Sequence, residues 1–117
     1  MDDIILDGKE KQKIIDLLKS TPFSKLEIHP HYFNKLKQPR HGISLTKAEE
    51  IYNQFGKIQL IFKREGINSY KYAVVCRFNK KLAYYLLFFL DENPKKLFNA
   101  YAGNNAEERL WKKFFSH

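Results

Sequence analysis

Two histidines two positions apart open the densest polar stretch of the chain. His29-Pro30-His31 is followed by Lys35, Lys37, Arg40 and His41. Cations neutralise phosphates, and an imidazole moves a proton near neutral pH. Cleavage of RNA without a metal asks for such a set: a base for the 2′-hydroxyl proton, an acid for the leaving oxygen, and a cation for the crowded phosphorane. His31 and His41 are therefore the candidate proton carriers, with Arg40 and Arg77 as phosphate contacts. The competing reading is a solvated basic loop with ordinary histidines. On a strand, His29 and His31 would share a face and could chelate a metal. No third ligand follows at a useful spacing, so neither a metal nor a cofactor is expected.

Further cations lie on segments that read as strands. These are Lys63, Arg64, Lys71 and Arg77, and Lys71 and Arg77 share a face with Ala73 and Val75 between them. A basic sheet face can follow a nucleic-acid backbone, and Tyr70, Tyr72, Tyr84 and Tyr85 could stack on bases. The plainer role for most of these tyrosines is packing. Lys35, Lys37, Lys63 and Tyr101 complete the candidate nucleic-acid contacts. Asp91-Glu92 and Glu107-Glu108 read as a turn and a helix start rather than as a catalytic carboxylate pair. The five glycines are scattered and form no phosphate-binding loop, and no serine has a nucleophile-elbow setting.

These residues need a scaffold, and residues 57–101 supply the clearest one. Ile58 to Lys63 and Tyr70 to Phe78 alternate with period two, as half-exposed strands do. Leu82 to Leu90 is apolar on both faces and belongs at the centre of a sheet. Turn residues separate the runs: Glu65-Gly66-Ile67-Asn68, Asn79-Lys80 and Asp91-Glu92-Asn93-Pro94. The expectation is an α+β fold with three or four antiparallel strands in a meander, covered by N-terminal helices and one C-terminal helix.

Residues 1–8 read as an acidic lead, with Asp7 able to cap the first helix. Helix 9–20 buries Ile14, Ile15, Leu17 and Leu18. Lys25 to Ile28 could form a short strand. Pro30 suits the first turn of a second helix, with Tyr32, Phe33 and Leu36 inward. The helix at 44–55 starts at Ser44 or Thr46; Thr46 with Glu49 has capping-box spacing, and Gly56 suits a left-handed residue after it. The helix at 105–115 packs through Leu110, Trp111, Phe114 and Phe115. Lys71 and Arg77 are about 20 Å apart at roughly 3.3 Å per residue. Both cannot flank the basic loop, and Arg77 is expected beside Arg40 and His41.

Composition bounds the rest. The chain of 117 residues suits a single domain, 1–117, and 44% hydrophobic residues can fill a core. The net charge of +8 and pI near 9.5 favour a polyanion: RNA, DNA, an acidic protein or an acidic membrane face. The one cysteine, Cys76, makes no internal disulfide and reads as a small buried residue. No signal peptide is visible, and the nine residues of Leu82–Leu90 fall short of the roughly 20 that a membrane helix needs. A cytoplasmic protein with no membrane partner is expected.

The element order resembles RelE/ParE-type toxins and the wider barnase–EndoU–colicin–RelE nuclease group. Small relatives there carry a histidine, three residues, a basic residue, and then Arg-Gly-Ile-Ser. His31-Tyr-Phe-Asn-Lys35 and Arg40-His41-Gly42-Ile43-Ser44 are similar. Lys35 stands where arginine is more usual, Pro39 lengthens the loop and His41 is inserted before Gly42. The resemblance spans roughly His29 to Tyr101. It implies a small metal-independent endoribonuclease, or a degenerate relative, often encoded beside a neutralising partner. The alternative is a non-catalytic binding protein, either a phage or effector-like inhibitor or an immunity-type partner of an acidic protein, using the same basic surface.

Overall fold

Four consecutive strands form the middle of the molecule: β3 (Ile58–Glu65), β4 (Tyr70–Asn79), β5 (Leu82–Phe89) and β6 (Lys96–Ala102). Each pairs antiparallel with the next. The computed structural model describes residues 4–36, 42–65, 69–80 and 82–103. Within them the fold is α+β, with three α-helices on a six-stranded mixed sheet ordered β1-β3-β4-β5-β6-β2.

The expected sheet of three or four antiparallel strands needs correction at both edges. Residues Ile4–Leu6 are strand β1, antiparallel to β3, where a mere acidic lead was expected. Glu27–Ile28 form β2, which runs parallel to β6 and makes the sheet mixed. Each edge strand is too short to carry a period of its own. It is held by hydrogen bonds to a partner far along the chain.

Helix α1 (Gly8–Lys19) follows β1 at once. Gly8 turns the chain with φ 52°, in the left-handed region that glycine occupies at no steric cost. Asp7 stands at the cap, but its side chain makes no capping bond. Ile14 and Leu18 are buried against the sheet. Helix α2 (Pro30–Leu36) starts at the expected proline. Tyr32 is buried beneath it and donates its hydroxyl to the carbonyl of Ile43, whereas Phe33, expected inward, is 48% exposed.

Helix α3 (Leu45–Tyr52) is capped by the Ser44 hydroxyl, which accepts from the Lys47 N–H at 3.1 Å. The Thr46–Glu49 spacing is therefore not the cap. The helix also stops earlier than expected. Asn53 ends it with right-handed angles, and Gly56 lies in a separate 3-10 turn (Phe55–Lys57) rather than in a left-handed cap. The single proton of the Tyr52 hydroxyl is shared between the carbonyls of Leu18 (2.9 Å) and Thr21 (2.5 Å), tying α3 to the end of α1. The expected helix at 105–115 lies outside the described residues.

The main core lies between the helices and one face of the sheet. Tyr72, Val74, Cys76, Leu86, Phe88 and Leu97 meet Ile14, Leu18, Ala48, Ile51 and Tyr52 there. A second cluster covers the opposite face: Leu60, Val75, Ala83 and Tyr85 are buried, with Ile5, Phe62, Leu87 and Tyr101 packed around them. So β3 and β4 are not half-exposed. Leu60 and Ile61 are both buried, as are Val74, Val75 and Cys76. Leu60 and Ile61 face opposite clusters and both faces are covered, while a bulge between Ile58 and Leu60 sends Ile58 to the helix side. Gly103 closes β6 against this second cluster. A Cβ there would come within 2.7 Å of the Tyr85 ring.

Candidate nucleic-acid interface

The second face of the sheet changes character towards the β6 edge. Phe89 projects there from β5, since its neighbour Phe88 is in the helix-side core. Phe98 sits at the β6 bulge between the pairs Leu87–Asn99 and Phe88–Leu97. The two rings meet edge to face at 5.1 Å. At the same bulge Asn99, buried and polar, uses its own Oδ1 to accept the Ala100 N–H at 2.9 Å, so that amide is satisfied.

Three basic side chains converge on Phe98. The His31 ring lies flat on it, with centroids 4.2 Å apart and planes 9° from parallel. His29 tilts against it at 5.1 Å and against Phe89 at 5.8 Å. The Lys71 ammonium stands 4.5 Å from the ring centre, close enough for a cation–π contact. All three basic residues are half-buried. Just beyond them the Lys96 ammonium bonds the Glu92 carboxylate at 2.7 Å, and the Ser69 hydroxyl donates to the same carboxylate. Those two bonds, led by Lys96, hold the Glu92 carboxyl below the usual range.

Local structure explains the convergence. The His29 N–H donates to the Leu97 carbonyl, which pins the start of α2 beside β6. Pro30 then begins the helix without an N–H to satisfy. One residue later His31 points back over Phe98.

The other expected site residues that the structure describes lie elsewhere on the sheet. Arg77 lies on the same face as Lys71 but six positions along β4, roughly 20 Å away at strand spacing. Its guanidinium donates to the Gln59 side chain (3.3 Å) and to the Asn79 and Lys80 carbonyls (3.4 Å each). Tyr101 stacks on Tyr85 at 5.4 Å near that end, and its backbone bridges to Gly42, the residue after the basic loop. The loop's end therefore reaches the sheet towards Arg77, whereas His31 meets Lys71. Lys63 is on the helix-side face, with its ammonium 4.1 Å from the Tyr70 ring centre. It lines a cleft of about 520 Å³ together with Glu10, Lys13, Ile14, Tyr72 and Asp91. In that cleft the Tyr72 hydroxyl donates to Asp91 at 3.0 Å. Lys37, Arg40 and His41 lie outside the described residues. Lys35 belongs to α2, with its side chain likewise outside them.

Of the four tyrosines expected to stack on bases, Tyr72 and Tyr85 are buried and Tyr84 packs edge-on against Phe78 at 5.6 Å. Tyr70 is the exposed one, under Lys63. Cys76 is buried, and burial pushes its thiol up to about 12, which suits packing rather than reaction. Among the described residues no three His, Cys, Asp or Glu side chains come together to hold a metal ion. Nor is any helix among them long and apolar enough to cross a membrane.

Sequence reasoning missed Phe98 and Phe89 as the platform for the histidines. Strict alternation would place Phe98 on the same face as Ala100, which is in the helix-side core, and only the bulge separates them. Compared with known families, curated proteins and solved structures, the chain matches none of them.

Proposed function

We propose that this chain is an RNA-directed module, a small toxin-like endoribonuclease acting without a metal, that takes a single-stranded RNA backbone at the β6 edge. The observation that carries this reading is the meeting of His29, His31 and Lys71 on the Phe98 ring, in a chain of net charge +8. An ammonium beside two imidazoles supplies a phosphate contact and a proton carrier at one place. Phe98, covered by the His31 ring and the Lys71 ammonium, holds these two groups side by side. In this role His31 exchanges the proton and Lys71 steadies the phosphate charge.

Total RNA incubated with the protein in EDTA tests the enzymatic version. Cleavage that is lost in His31→Ala, with the fold intact by circular dichroism, is the expected result. Absence of cleavage on free RNA and on ribosomes alike would remove it.

A second reading, binding without turnover, is favoured by the separation of Arg77 from His31 along the strand direction. It predicts salt-sensitive RNA binding with no product formed. Tight binding to an acidic protein but not to RNA would instead move the same surface to an inhibitor or immunity-type role.

A further inference from the structure

His29 has a task at this edge that its charge does not describe. Its Nδ1 accepts the backbone N–H of His31 at 3.1 Å, and its carbonyl accepts the N–H of Tyr32 at 2.9 Å. With Pro30 lacking a donor, these bonds satisfy the first two amides of α2. The side chain occupies the place of an N-cap and does what asparagine or serine does there, reaching the amide two residues on. Its own N–H is held by Leu97, next to Phe98. Backbone and ring together set where α2 begins and where His31 falls.

We infer that His29 is the positioning residue of the edge: its neutral imidazole caps α2 through Nδ1 and so lays His31 flat on Phe98, and acid releases the cap. This rests on the RNA-directed reading for its functional consequence, but not for its geometry. An imidazole that accepts at Nδ1 carries its proton on Nε2. A second proton would put an N–H at Nδ1, facing the His31 N–H donor, and the bond would be lost. Charged groups on the surrounding elements pull both ways. Glu92, in the β5–β6 turn, favours the imidazolium. Lys71 on β4, Lys96 on β6, protonated His31 and the positive start of α2 oppose it.

Asparagine separates the roles, because it caps as well and does not titrate. At about pH 8, His29→Ala should bind a short fluorescent single-stranded RNA about fivefold more weakly, the size expected for loss of an ordinary cap. His29→Asn, which restores the cap but not the ring against Phe98, should recover part of that loss. In amide-resolved NMR, the His31 amide of the parent should shift as the pH is lowered, and should lose that dependence in His29→Asn. An alanine variant that binds like the parent, a folded asparagine variant that fails to rescue, or a His31 amide indifferent to pH would overturn the inference. If the parent binds no RNA, the RNA reading falls, and the NMR titration alone decides the cap.

Discussion

The two faces of the sheet are both apolar at their centres, yet they end differently. On one face the apolar surface runs out under α1 and α3, and its polar groups are spent on joining elements: the Tyr52 hydroxyl on Leu18 and Thr21, the Tyr72 hydroxyl on Asp91. On the other, the buried cluster around Val75 and Tyr85 comes from strands, and beyond it the rings of Phe89 and Phe98 meet imidazoles and an ammonium. The contrast teaches where to look for binding. Apolar residues capped by helices report on stability. Aromatic rings that gather half-buried cations at a sheet edge offer surface to something outside.

Paired truncations would sharpen that contrast most. Phe88, fully buried on the helix side, and Phe98, half-buried on the other, lie on adjacent strands. Phe88→Ala should destabilise by about 3–5 kcal/mol in denaturant unfolding, through lost transfer energy and the cavity left behind. Phe98→Ala should cost clearly less in the same assay and more in RNA affinity. Equal losses of stability would erase the distinction between the faces.

Alkaline titration should give a smaller effect, confined to the helix side. Burial raises the hydroxyls of Tyr52 and Tyr72 to about 12, and for Tyr72 the Asp91 carboxylate adds to the rise. A folded-state value above the unfolded value of 10 means that this stability is complete below pH 10. It is lost as pH climbs through about 12, because the unfolded chain then releases its phenolic protons first. Phenolate absorbance followed alongside circular dichroism should show part of the tyrosine titrating only with unfolding. Replacing both residues by Phe should shrink that late fraction to the part that buried Tyr32 contributes.

The smallest expected effect is none at all. Cys76 in the folded protein should resist a thiol reagent at pH 8 and react fully in denaturant, since burial suppresses its thiolate. Rapid native labelling would show that β4 opens to solvent, against the burial on both its faces.

Long periodic segments were legible from residue order alone. The run Leu82–Leu90, apolar on both faces, lies inside the sheet as β5 followed by buried Leu90, and Pro30 and Ser44 mark the starts of α2 and α3. These features follow from local rules: side-chain period, the missing proline N–H, a hydroxyl within reach of a free amide. The candidate site was legible only in part. His31 was singled out by its type and neighbours; Arg40 and His41, beside which Arg77 was expected, lie outside the described residues, and Phe98 was not considered.

Residue order alone specified the α+β class, the succession of β3, β4 and β5, and a basic chain with histidines before a capped helix. The tertiary structure decided the edge strands, because two or three residues carry no period and gain their order only from partners such as Lys63 and Leu97. It also decided which face each side chain takes, because a single bulge residue in β3 or β6 reverses the alternation beyond it. The meeting of His29, His31 and Lys71 on Phe98 is of the same kind. It depends on β2 lying parallel to β6 and on the bulge that turns Phe98 outward, and both are set by pairing between distant parts of the chain.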